Sequence, residues 1–156
     1  MKPVLKKVSE NTSWDLLMPL IRERIAAEQL VRIYPYGKSM LPMLCEGRDS
    51  VVLSKVQRIK KYDIILYQRE NGQYILHRVV KVGKTYTCIG DNQFATEPGL
   101  RHDQMIAVVT AFYRGEKKYT TKSLSYQIYC RLWCFSRPIR HFWRRGCGWL
   151  RRHLWK

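Results

Sequence analysis

The sequence predicts a mainly β fold, with a short N-terminal helix and a basic, amphipathic helical tail at the C-terminus. Two observations carry this. Six short runs rich in Val, Ile and Tyr lie between residues 30 and 113, with no room between them for crossover helices. Beyond that stretch the texture changes: residues 114–156 hold twelve Lys and Arg against one acid, Glu116, interleaved with Trp133, Phe135, Phe142, Trp143, Trp149 and Trp155.

Trp14, Leu17, Met18, Ile21 and Ile25 recur at helical spacing. Thr12 or Ser13 could cap this helix, with Asp15 in its first turn. Pro19 conflicts with an unbroken helix, so either a kink or a start near Pro19 is expected. Strands are predicted at 30–36, 50–56, 63–67, 74–82, 84–89 and 105–113. Asn71-Gly72 is a hairpin signal and Gly83 marks a second tight turn. Short connections make the sheet largely antiparallel. In the tail, Leu124, Ile128, Leu132 and Phe135 fit one helical face. Pro138 breaks it, Ile139, Phe142 and Trp143 resume beside Arg140, Arg144 and Arg145, and Gly146 and Gly148 break it again. The reading divides the chain into a helical segment (1–30), a β body (31–114) and a basic tail (115–156).

The chain has 156 residues, about one domain, and 46% are hydrophobic, which excludes a disordered chain. The net charge is +17, of which the last 43 residues carry +11. No run of about 18 apolar residues suggests a spanning helix, and the first 15 residues lack the apolar stretch of a secretory signal. Five cysteines without a CxxC pair disfavour a disulfide scaffold and a zinc site and fit a reducing compartment. No metal or cofactor is expected.

Three segments inside the β region could carry chemistry: Gly37-Lys38-Ser39-Met40-Leu41-Pro42, Leu76-His77-Arg78-Val79-Val80 and Ile89-Gly90-Asp91-Asn92. They supply a serine, a histidine and an acid. A serine hydroxyl needs a base within reach to become a nucleophile. Histidine can take that proton near neutral pH. An acid beside the imidazole fixes its tautomer and stabilises the imidazolium. Gly37 lets the backbone bend close to a reacting carbonyl.

With Gly47-Arg48-Asp49-Ser50-Val51 and Tyr62-Asp63-Ile64-Ile65, these boxes resemble in order those of the S24/S26 serine peptidase superfamily, which holds signal peptidase I and the LexA-like self-cleaving repressors. The similarity covers residues 37–114, about half the chain. The His77-Arg78 box is similar to the endoplasmic-reticulum and archaeal type, which pairs serine with histidine rather than lysine. Two boxes depart from the pattern: Arg48 is inserted in a Gly-Asp pair, and Tyr62 replaces a common glycine. The resemblance implies coiled antiparallel sheets of the signal-peptidase kind. It also implies Ser39 as nucleophile, His77 as base and Asp91 or Glu97 as the orienting acid, with Asp91 preferred. Glu97 enters because the family carries a second acid six residues beyond the Gly-Asp-Asn aspartate. Gly37 stands where signal peptidases often have a serine, which leaves backbone N–H groups, chiefly that of Ser39, as oxyanion donors. An extended substrate would add a strand to an edge near 33–39, with Gly37 and Met40 lining the site.

The function expected from the sequence is a serine endopeptidase cutting a peptide or precursor leader. It would be cytoplasmic and peripheral at the membrane. The alternatives are a LexA-like self-cleaving regulator and a catalytically inactive binding module. The first wants an N-terminal DNA-binding domain, for which the 30 residues ahead of the β body are too few. For the tail, Trp and Leu opposite Arg suit an anionic membrane surface through residues 123–156. Nucleic acid ranks below it, since no nucleic-acid fold motif accompanies the charge. The tail lies beyond the last family box and is expected to be dispensable for the chemistry, provided that residues 124–135 cover no core face.

Overall fold

The computed structural model describes residues 5–6 and 14–143. Nine strands among them form one sheet. They are β1 (Leu5–Lys6), β2 (Val31–Ile33), β3 (Asp49–Ser54), β4 (Ile64–Gln68), β5 (Tyr74–Val82), β6 (Tyr86–Ile89), β7 (Glu97–Leu100), β8 (Met105–Arg114) and β9 (Lys117–Thr120). The order is β1-β2-β3-β8-β4-β5-β6-β7, with β9 also on β8. Every pairing is antiparallel except β1 with β2. The mainly β architecture expected from the sequence is therefore present.

The sheet is buried on both faces. Along β4, Ile64 and Leu66 enter the larger core, while Ile65 and Tyr67 enter a smaller one with Ile59, Val79, Cys88, Leu100 and Met105. This follows from the two-residue period of a strand. Helix α1 (Trp14–Ala26) puts Leu17, Met18, Ile21 and Ile25 into the larger core. It begins at Trp14 and not at Pro19, which sits inside it on the exposed face. The expected cap at Thr12 or Ser13 lies outside the described residues.

The C-terminal region differs from the expectation of an appended tail beginning at 115. Strand β9 extends the sheet, and helix α2 (Leu124–Phe135) buries Tyr126 and Cys130 in the larger core. The Ser123 side chain caps α2 by accepting from the Tyr126 N–H. The predicted face of Leu124, Ile128, Leu132 and Phe135 forms as a face but points outward. Leu124 is 76% exposed and Phe135 79%. Residues 137–143 are helical again, restarting around Pro138, and leave Ile139, Phe142 and Trp143 exposed. Arg144, Arg145, Trp149 and Trp155 lie outside the described residues. No helix among the described residues is long and apolar enough to cross a membrane.

Candidate active site

Successive side chains of β5 point to opposite faces, and this separates His77 from Arg78. His77 pairs across the ladder with Ile65 and shares the face of the smaller core with Tyr67. It is buried. Its Nδ1 lies 3.2 Å from Tyr67 Oη and 3.3 Å from Glu97 Oε1. Glu97 reaches it because β7 lies on β6: Val79 opposes Cys88, and Cys88 opposes Glu97, on His77's own face.

Glu97 is held from its other side by Arg69. Arg69 Nε donates to Oε2 at 2.8 Å, and a second donor of its guanidinium bonds Oε1. Burial alone would raise the Glu97 carboxyl, but the hydrogen bonds from Arg69 and Tyr67 outweigh it and hold the acid below the usual carboxylate range. Burial and the neighbouring Glu97 charge push the Tyr67 phenol far above its ordinary value, so it keeps its proton. Bonds to an ionised acceptor are the stronger ones. The phenol proton therefore goes to the carboxylate, and the phenol oxygen and Glu97 together receive the Nδ1–H of His77. Nε2 is left with its lone pair. Burial moves the imidazole below its ordinary 6.5, with Glu97 pulling the other way, so the ring is neutral at pH 7.

Ser39 sits half-buried in the turn after β2. Two contacts fix this turn to the Gly90-Asp91-Asn92 turn. Asn92 N–H donates to the Ser39 carbonyl at 2.8 Å, and Asn92 Nδ2 donates to the Lys38 carbonyl at 3.1 Å. The approach requires Gly90. A Cβ there would stand 2.6 Å from the Ser39 carbonyl oxygen and 3.0 Å from His77 Nε2. Those two atoms thus face the same point. Gly37 has φ +93°, and its N–H donates to Glu46 Oε2 at 3.1 Å. Ser39, His77, Gly37, Met40 and Glu46 line one cleft of about 210 Å³. Met40 is also a core residue.

The cleft is lined by two separate stretches of chain. On one side run Pro35, Tyr36 and Gly37, and on the other Tyr74, Ile75 and Leu76 of β5. Strand β6 joins β5 only from Arg78 onward, so residues 74–77 keep an open edge on that side among the described pairings. The expected edge at 33–39 is corrected at its start. Ile33 is paired on both sides, with Lys6 and Val51, and the open stretch begins at Tyr34.

Asp91, the acid preferred from the sequence, lies elsewhere. Arg78 grips its carboxylate with two donors, Nε to Oδ1 at 2.7 Å and NH2 to Oδ2 at 2.6 Å. Both side chains are essentially inaccessible. The remaining Arg78 nitrogen reaches the Tyr62 carbonyl, Tyr126 Oη and Cys130 Sγ at 3.0, 3.1 and 2.9 Å. Trp133 Nε1 donates to the Asp91 carbonyl at 3.1 Å. Helix α2 is thus tied to the turn that holds Ser39. Sequence reasoning had assigned no part to Tyr67, Arg69, Arg78 or Trp133. His102 bonds Tyr86 at 3.2 Å and does not line the cleft.

Compared with models of protein families and with curated proteins, the chain matches none. The functional reading therefore rests on the geometry and on the residue pattern.

Proposed function

We propose that the chain is a serine endopeptidase of the signal-peptidase kind that cuts a peptide or precursor leader. The observation that carries this reading is the environment of His77. It is a buried, neutral imidazole with Glu97 and Tyr67 on Nδ1, and its Nε2 and the Ser39 carbonyl oxygen both face Gly90. In the proposed reaction the substrate lies extended between residues 35–37 and 74–76. Ser39 Oγ attacks the scissile carbonyl while His77 Nε2 takes the hydroxyl proton. The Ser39 N–H donates to the developing oxyanion. The imidazolium, stabilised by Glu97, gives its proton to the leaving amine. Water then hydrolyses the acyl-enzyme by the same proton path in reverse order. Asp91 acts as a positioning residue through Arg78 and α2.

The outward face of α2 supports a peripheral contact with an anionic membrane. Leu132 and Phe135 are 63% and 79% exposed, and Arg131, Arg137 and Arg140 lie in the same region. That face equally supports a second reading, a membrane-surface module without catalysis. Fluorophosphonate labelling of the purified full chain separates the two. The peptidase reading expects a covalent adduct on Ser39 that Ser39→Ala abolishes. A folded protein that stays unlabelled, or is labelled elsewhere, supports the binding module.

A further inference from the structure

A second cavity, of about 590 Å³, adjoins the Ser39 cleft and has no part in the chemistry above. Leu41 and Pro42, directly after the Ser39-Met40 pair, form one wall. Asn92, Gln93 and Phe94 form the floor, and Trp133, Ile139 and Trp143 close the far side. Gln93 lines both cavities. The lining is predominantly apolar and aromatic. Its cation, Arg140, is stacked 3.4 Å above the Trp133 ring and donates to the Trp133 carbonyl at 2.6 Å. The far wall is braced by Arg137, which donates to the Phe94 carbonyl at 3.1 Å, and by His141, stacked on Phe94 at 4.5 Å.

We infer that this cavity takes a large apolar side chain of the substrate on the leaving-group side of the scissile bond. The inference rests on the peptidase reading and extends it to specificity. On that reading, the cleft containing His77 and residues 35–37 and 74–76 takes the acyl side of an extended peptide. A chain that continues past Ser39 meets Leu41, Pro42 and Gln93, and so enters the second cavity. The occupant is an aliphatic or aromatic residue because burial of apolar area drives its binding. Helix α2 and residues 137–143 are then one wall of the binding site, which gives the C-terminal region a part in choosing the substrate.

Ile139 is the position to change, since it is 66% exposed and lines the cavity without bonding the Ser39 turn. The probe is a set of randomised decapeptides incubated with the full chain, with Ser39→Ala as the blank, and the products are sequenced by mass spectrometry. Cuts that depend on Ser39 should be followed, within the first two or three positions, by Leu, Ile, Phe, Tyr or Trp. That preference should reach roughly tenfold over Ala, the scale of one or two methylene groups' discrimination. Ile139→Glu should erase this preference and favour Lys or Arg there. Ser39-dependent cuts with no preference after the bond, or one that Ile139→Glu leaves intact, overturn the inference and leave the peptidase standing. No Ser39-dependent cut overturns both.

Discussion

His77 and Arg78 are neighbours on β5, and each takes one carboxylate, but the two pairs are built for different ends. Arg78 and Asp91 are fully buried and joined by two short bonds, and the remaining guanidinium nitrogen reaches the Tyr62 carbonyl, Tyr126 Oη and Cys130 Sγ. His77 and Glu97 meet at 3.3 Å with a phenol beside them, and Glu97 keeps 23% of its side chain exposed. The first pair is an ion pair in a low-dielectric interior, where removing either partner leaves an uncompensated charge. In the second, burial holds the imidazole below its ordinary 6.5, so it is neutral at pH 7 and free to take a proton. Strand alternation decides which carboxylate each side chain meets, and proximity in sequence does not.

Breaking the first pair should produce the largest effect on the fold. Arg78→Met leaves the Asp91 carboxylate buried without its partner, and the cost should be about 3–5 kcal/mol. Urea unfolding of the variant checks this. A change under about 1 kcal/mol would mean that the pair is not what ties α2 to the Ser39 turn.

The second pair should show itself through pH. The folded state lowers the His77 pKa below 6.5, so at and above that value the base is neutral and the labelling rate of Ser39 should be flat. Below the lowered value the rate should fall by about tenfold per pH unit as the ring protonates. Stability follows the same direction. The unfolded chain takes its proton first, from about pH 6.5 downward, so stability drops as pH falls from there to the folded pKa. A labelling rate that keeps rising above pH 8 would point to a base other than His77.

The smallest effect concerns the two faces of α2. Tyr126 and Cys130 on the inner face hold Arg78, while Leu132 and Phe135 on the outer face touch no core. The double substitution Leu132→Glu, Phe135→Glu should change stability by no more than about 0.5 kcal/mol per site. It should nonetheless reduce co-sedimentation with anionic vesicles at low salt. Unaltered vesicle binding would move the membrane contact off this face.

Much of this was legible in the sequence. The six strands rich in β-branched and aromatic residues appear in the predicted places, though the one expected at 30–36 is confined to Val31–Ile33 and the one expected at 84–89 begins at Tyr86. The three missed strands lack the signal: β7 reads EPGL, β9 reads KKYT and β1 is two residues long. On α2 the apolar period was read correctly, but the direction was not foreseen. The inner face is polar-tipped because a buried guanidinium needs the Tyr126 hydroxyl and the Cys130 sulfur. Ser39, Gly37, Met40 and His77 do share a cleft. Between the two acids, the short turn-held Asp91 looked the better partner from its box. Pairing register decides otherwise: His77, Val79, Cys88 and Glu97 lie on one face, and Ile89, opposite Arg78, leads to Asp91 on the other.

The most direct test compares Glu97→Gln with Asp91→Asn by the fluorophosphonate labelling rate of Ser39, scored per folded molecule by near-ultraviolet circular dichroism. If Glu97 orients His77 and stabilises the imidazolium, Glu97→Gln should slow labelling on the order of a thousandfold, the scale of losing a triad acid. Asp91→Asn should unfold part of the population yet leave the folded fraction labelling within about tenfold of the parent, as expected of a group that acts through Arg78 and not on the base. The reverse ranking, with Asp91→Asn the slower per folded molecule and Glu97→Gln near the parent rate, would contradict the assignment of the two carboxylates.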